Sequence, residues 1–172
     1  MRKLLLGVAM LLFAQLGFGQ AVSDQAVIPV SVTLNSILRL TVTAGGNIQF
    51  VVNTMDQYLN GIDIASDQYK TKYKVSSSND YNVTIAADYD GLLGVETGTT
   101  MALSFIEYTP TGGTTAGAGG ALTTTAELTA TDPAGTVDTY EIAWQLTGGL
   151  LAMDYPADVY TVNVFLQVQP QP

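Results

Sequence analysis

Tyr140-Glu141-Ile142-Ala143-Trp144-Gln145-Leu146-Thr147 is the stretch that decides the fold class. Side chains of a β-strand point alternately to its two faces. Tyr140, Ile142, Trp144 and Leu146 therefore share one face, and Glu141, Ala143, Gln145 and Thr147 share the other. One apolar face and one polar face describe a strand with a dry side and a wet side, as in an antiparallel sheet. Gly148-Gly149 then breaks the pattern.

The same period extends in both directions. Towards the C-terminus, Tyr160, Val162, Val164, Leu166 and Val168 alternate with Thr161, Asn163, Phe165 and Gln167, and the strand is expected to stop at Pro170, which has no N–H to donate. Towards the N-terminus, Met101, Leu103 and Phe105 open a strand that runs to about Tyr108. Tyr81, Val83, Ile85 and Ala87 form another, and Tyr69, Thr71, Tyr73 and Val75 alternate with Lys70, Lys72 and Lys74. The polar residues 76–80 between these two suggest a hairpin. Ile48, Phe50 and Val52 follow the turn Ala44-Gly45-Gly46-Asn47, and Leu38, Leu40 and Val42 precede it. Ile28, Val30, Val32 and Leu34 alternate with Pro29, Ser31 and Thr33. Residues 109–136 are rich in Thr, Gly and Ala and read as a flexible loop, with an edge strand within residues 122–130 and a turn at Asp132-Pro133-Ala134-Gly135. Residues 56–68 have room for one helical turn, although Gly61 argues for a loop there. About eight or nine short strands of this kind predict an all-β fold, an antiparallel immunoglobulin-like β-sandwich, with a barrel as the other architecture.

The N-terminus is of a different kind. Arg2 and Lys3 precede an apolar run over residues 4–13, and Gly17, Gly19 and Ala21 follow. A basic start, a short apolar core and small residues are the pattern of a secretory signal peptide. The expected organisation is a signal peptide over 1–19, cleaved after Gly19 or after Ala21, and a single β-sandwich domain over 20–172. The apolar run is shorter than the roughly 20 residues a membrane span needs, and no later stretch qualifies. The expected location is exported: cell surface, extracellular or periplasmic.

Composition narrows the chemistry. Without Arg2 and Lys3, four basic residues face fifteen acidic ones, a net charge of −11 (4 − 15). Such a chain repels phosphate backbones, so nucleic acid is excluded as a natural partner. The sequence holds no cysteine and no histidine. Disulfide staples, thiol nucleophiles, Ser-His-Asp triads and His/Cys zinc sites are thereby removed. Only a carboxylate-pair mechanism survives that argument, and no residues suggest one. The expectation is a protein that is not an enzyme and carries no cofactor.

Few residues stand out as sites. Lys70, Lys72 and Lys74 share one strand face, either as a cationic stripe for an acidic polymer or partner subunit, or as lysines that guard a solvated sheet. Asp88 and Asp90, in Asp88-Tyr89-Asp90-Gly91, are the calcium candidates, although neither they nor Asp56, Asp63 and Asp67 have the spacing of a calcium loop. Turn chemistry alone accounts for them. The glycines of residues 112–120 lack the Lys-Ser/Thr ending of a phosphate loop. Trp144 lies in phase with Ile142 and Leu146, which places it in a core before a sugar platform.

Three stretches carry a resemblance: KVSSSNDYNVTIAAD over residues 74–88, MALSFIEYTP over 101–110 and YPADVYTVNVFLQV over 155–168. Together with the N-terminal signal, the chain resembles small exported bacterial β-sandwich domains of the spore-coat-U-like, fimbrial-subunit-like and WxL-like groups. Trp144-Gln145-Leu146 supplies a Trp-x-Leu triplet. Ala157-Asp158-Val159-Tyr160 stands where those groups often carry Gly-x-Tyr, without the glycine. A signal ending before Gln20 is similar to those of Bacteroidetes-type exported proteins. The resemblance implies a structural or adhesive surface protein, a fibre or envelope subunit that associates by β-strand pairing with copies of itself or with other envelope proteins. Residues 20–34 and 160–168 are the segments expected to pair. The other reading is a secreted carbohydrate- or protein-binding module that uses the loops 54–68 and 109–136.

Overall fold

The computed structural model describes residues 29–63, 67–150 and 154–171. The expected signal peptide lies outside them. The chain divides into two compact units after Leu34. In the first unit, residues 29–34 are described; all six are exposed and belong to no ladder. The second unit is all-β.

Thirteen strands are formed among the described residues, more than the alternation announces because several have only two residues. One sheet has the order β1-β3-β11-β7-β9, from Leu38–Ala44, Lys70–Ser77, Gly135–Thr147, Ile106–Gly112 and Gly120–Ala121, and β2 (Gly61–Ile62) pairs with the end of β11. The second sheet has the order β13-β4-β10-β8, from Val164–Pro170, Tyr81–Ala87, Glu127–Asp132 and Thr115–Ala116. A third, small sheet joins β12 (Tyr160–Thr161), β5 (Leu92–Gly94) and β6 (Thr100–Met101). Every ladder is antiparallel. The sheets are open at their edges, so the architecture is a sandwich and not a barrel.

The core forms where the two large sheets turn their apolar faces together. Tyr73 and Val75 enter from β3, Tyr81, Val83 and Ile85 from β4, and Tyr140 and Ile142 from β11; all are essentially inaccessible. Each such side chain contributes about 1.5–3 kcal/mol relative to its exposed state. Polar atoms inside are paired. The Tyr140 hydroxyl donates to Asp132 Oδ2 at 2.6 Å, and the Thr114 amide donates to the other oxygen of that buried carboxylate. The Tyr81 hydroxyl donates to Asp138 at 2.6 Å. Burial, reinforced by these carboxylates, holds both phenols far above the ordinary tyrosine range.

Several expectations change here. β3 and β4 are not a hairpin: β3 pairs with β1 and β11, and β4 pairs with β10 and β13, so the turn at 78–80 carries the chain from one sheet to the other. Alternation reports which residues face inward, and both arrangements bury the same ones. The strand expected over residues 160–168 is two, because Tyr160 and Thr161 pair with β5 while Val164 onwards pairs with β4. Pro170 still takes a ladder position, opposite Tyr81, on an edge strand where its missing N–H costs nothing. Residues 55–60 form a helix, α1 (Met55–Asn60), started by a capping box between Thr54 and Gln57 and ended at Gly61. The presumed loop 109–136 holds most of β7 together with β8, β9 and β10, and β10 sits inside its sheet.

Glycine explains that last difference. β8 and β9 carry one short segment first onto β10 and then onto β7, so it covers both sheets along one side of the sandwich. A side chain at Gly117 would stand 2.0 Å from the Leu128 carbonyl oxygen. The Gly117 amide donates to the Thr129 carbonyl at 2.7 Å. Glycine here permits close backbone approach, where the sequence alone suggests mobility.

Candidate functional site

Among the described residues, the opposite side of the sandwich has no such cover. β1 ends one sheet and β13 ends the other, and each has a free edge. Gly45, at φ +64°, turns the chain out of β1; a Cβ there would meet the Lys70 carbonyl oxygen at 2.0 Å. A short relay fastens this turn to the core: Trp144 Nε1 donates to Thr71 Oγ1 at 2.9 Å, and the Thr71 hydroxyl donates to the Gly45 carbonyl at 2.7 Å.

Beyond that turn the sequence still alternates, and so does its burial. Ile48, Phe50 and Val52 are half-buried and packed on the core, while Asn47, Gln49 and Val51 are exposed. Phe50 stacks on Tyr69 with centroids 4.8 Å apart. Yet residues 47–52 belong to no ladder, and among the described residues their backbone groups have no hydrogen-bond partner. The strand expected here has the side-chain pattern of one and lacks a neighbour among the described residues. Backbone N–H and C=O groups in this state are a template for a further strand.

Between this segment and the run from β12 into β13 lies a groove of about 1120 Å³. Its floor is apolar and includes Leu92, Met101, Ile106, Trp144 and Leu146. Val42, Val51, Val159 and Phe165 on its rim are 43%, 54%, 60% and 58% exposed. Contiguous exposed apolar surface of this kind marks an interaction site. Tyr155, which packs edge-on against Phe105 and Tyr160, stands at the groove. Beside it Asp158 organises the turn after β5, accepting from the amides of Glu96 and Thr97 and from the Thr97 hydroxyl at 2.7 Å. These donors lower the Asp158 carboxyl to about 2.

Compared with protein-family models and with curated proteins, the chain matches none. The site therefore stands on its own geometry.

Trp144 and residues 160–166 line this groove, but the lysines and aspartates singled out in the sequence lie elsewhere. Lys70, Lys72 and Lys74 do share one face of β3. Lys70 Nζ lies 3.0 Å from Asp67 and 3.1 Å from Glu141, and Lys72 Nζ lies 3.6 Å from Glu141. The first two lysines thus stitch β3 to β11, and hydrogen bonding to Asp67 and Glu141 raises Lys70. Arg39 joins them on that face, because its neighbour-but-one Thr41 is directly opposite Lys74. All four basic residues beyond Lys3 therefore gather on β1 and β3, which one strand's sequence does not reveal. Asp88 accepts from the backbone and side-chain amides of Asn163 at 3.1 and 2.7 Å and so anchors the start of β13. Asp90 is exposed in the turn after β4.

Proposed function

We propose that this chain is an exported structural subunit of a surface or envelope assembly, without enzymatic activity, joined to its neighbours by main-chain pairing at open sheet edges. The observation that carries this reading is a side of the sandwich with no cover among the described residues, where an apolar groove runs beside six residues whose backbone has no partner among them. A protein meant to remain alone covers or charges its edges. Among the described residues, one side is closed by β8 and β9 and the other is apolar and has no covering strand. Strand addition uses such an edge directly: the backbone supplies affinity and alternate side chains fill the groove. The absence of histidine and cysteine supports a structural role over a catalytic one.

The test is the state of residues 20–172 in solution and on cells. Sedimentation across a wide concentration range should show oligomers that grow with concentration, and electron microscopy of the native protein should show filaments or a coat. A strict monomer at every concentration, found as a soluble pool, would overturn the proposal.

A further inference from the structure

We propose that Arg39 and Lys74, with the hydroxyls of Thr41, Ser76 and Thr139 around them, bind a carboxylated polysaccharide laid along the outer face of β1, β3 and β11. The proposal goes beyond the subunit reading and does not depend on how subunits pair.

The pairing register builds the patch. Arg39 is opposite Ser76 and Thr41 is opposite Lys74 across β1 and β3, and Lys74 is opposite Thr139 across β3 and β11. Residues directly opposite share a face, and so do residues two apart on one strand. These side chains therefore stand together, while Tyr73 and Val75 point the other way into the core. Arg39 and Lys74 form a diagonal pair, about 7–8 Å apart in ordinary sheet geometry. Lysines that guard a sheet sit on its edge strand, whereas β3 is paired on both sides. Edge protection therefore does not account for Lys74.

Ion pairing sorts the four cations. Lys70 and Lys72 lie against Glu141, and Lys70 also against Asp67. Arg39 and Lys74 are exposed and have no carboxylate partner among the described residues. Two like charges at this separation repel, and an anion held between them removes that repulsion. The hydroxyls of Thr41, Ser76 and Thr139 also have no hydrogen-bond partner among the described residues. The patch thus offers two cations and a set of unengaged hydroxyls on a pleated, open surface.

Charge and hydrogen-bonding capacity choose the occupant. The planar fork of Arg39 matches a carboxylate with two hydrogen bonds, and Lys74 adds a point charge beside it. A polysaccharide with carboxylates at intervals supplies those anions and hydroxyls for the threonines and the serine. An acidic peptide would satisfy the cations and leave the hydroxyls to water. Alternate residues on a strand are about 6.6 Å apart, so a polymer running along β3 from Lys74 next meets Lys72, whose side chain is 45% exposed. The net negative charge does not forbid this contact. At 0.15 M salt, charges are screened over about 8 Å. Glu107, also on this face, is two strands from β3, about 10 Å away. The second sheet lies behind the core, a further spacing of about 10 Å.

Calorimetric titration of residues 20–172 with polygalacturonate tests this, with thermal unfolding to show that each variant is folded. The unmodified chain should bind the polymer and ignore its fully methyl-esterified form, which keeps the backbone and loses the charge. Arg39→Gln with Lys74→Gln should weaken binding at least about tenfold, the loss expected when charged hydrogen bonds are removed. Glu141→Gln releases Lys70 and Lys72 onto the same face and should tighten it. Undiminished binding by the double variant, or equal binding of the methyl ester, would overturn the proposal. A Glu141→Gln variant that binds no more tightly than the unmodified chain would overturn the placement along β3. Polyglutamate of equal charge that binds better than polygalacturonate would assign the patch to an acidic protein and reject the polysaccharide. A chain that binds neither polymer rejects the site and leaves the subunit reading, which sedimentation tests, intact.

Discussion

Two neighbouring residues on β11 show how far position sets importance. Tyr140 faces the core and donates to Asp132, a carboxylate that is 2% exposed. Glu141 faces out and pairs with two partly exposed lysines. Tyr140→Phe takes a donor from a buried carboxylate and should cost about 1–3 kcal/mol. Glu141→Gln should cost less than about 1 kcal/mol, as surface ion pairs do. Urea unfolding of both variants checks the order. Asp158 gives a pH-dependent contrast. Its carboxyl, at about 2 in the folded protein, lies below the unfolded value of about 3.9, so its hydrogen bonds add stability above the unfolded value and lose it as pH falls towards 2. The gap in thermal midpoint between the native chain and Asp158→Asn should therefore be widest near pH 5 and shrink towards pH 2. A gap independent of pH would mean the carboxylate charge is not what holds that turn.

At the scale of elements, alternation located most strands and misjudged their partners. β1, β3 and β4 fall within a residue or two of their expected bounds, whereas β11 begins at Gly135, five residues before the Tyr140 where the alternation starts. The arch between β3 and β4 was not legible, since a pleat does not say which sheet its inward face belongs to. Nor was the role of the glycine-rich segment, where small residues are set by what stands opposite them. Gly117→Ala forces a methyl group against the Leu128 carbonyl and should cost about 1–3 kcal/mol, the usual range for overpacking. Thermal unfolding measures it, and an unchanged midpoint would show that β8 can move off β10 freely. The run at residues 47–52 is the reverse case: its strand pattern is plain, and only the fold shows that no described strand pairs with it.

For the whole molecule, charge and groove act at different ranges. Residues 20–172 carry a net charge of −11, so copies repel one another before any apolar contact forms. Salt shortens the screening length from about 30 Å at 0.01 M to about 8 Å at 0.15 M. Assembly followed by light scattering should therefore quicken as salt is added. A rate that slows instead would mean that the cationic face of Arg39, Lys70, Lys72 and Lys74 steers an acidic partner. The sequence by itself determined the all-β class, the identity of the inward-facing residues, the charge and the exclusion of histidine and cysteine chemistry, because all of these are local or compositional. It also marked residues 28–34 as strand-like. Only the tertiary structure decided which edges of the described strands are covered, that Arg39 joins the lysines' face, that Lys70 and Lys72 are tied to Glu141, and that Asp88 holds Asn163. Those facts depend on which distant segments become neighbours, and a period of two along the chain contains no information about that.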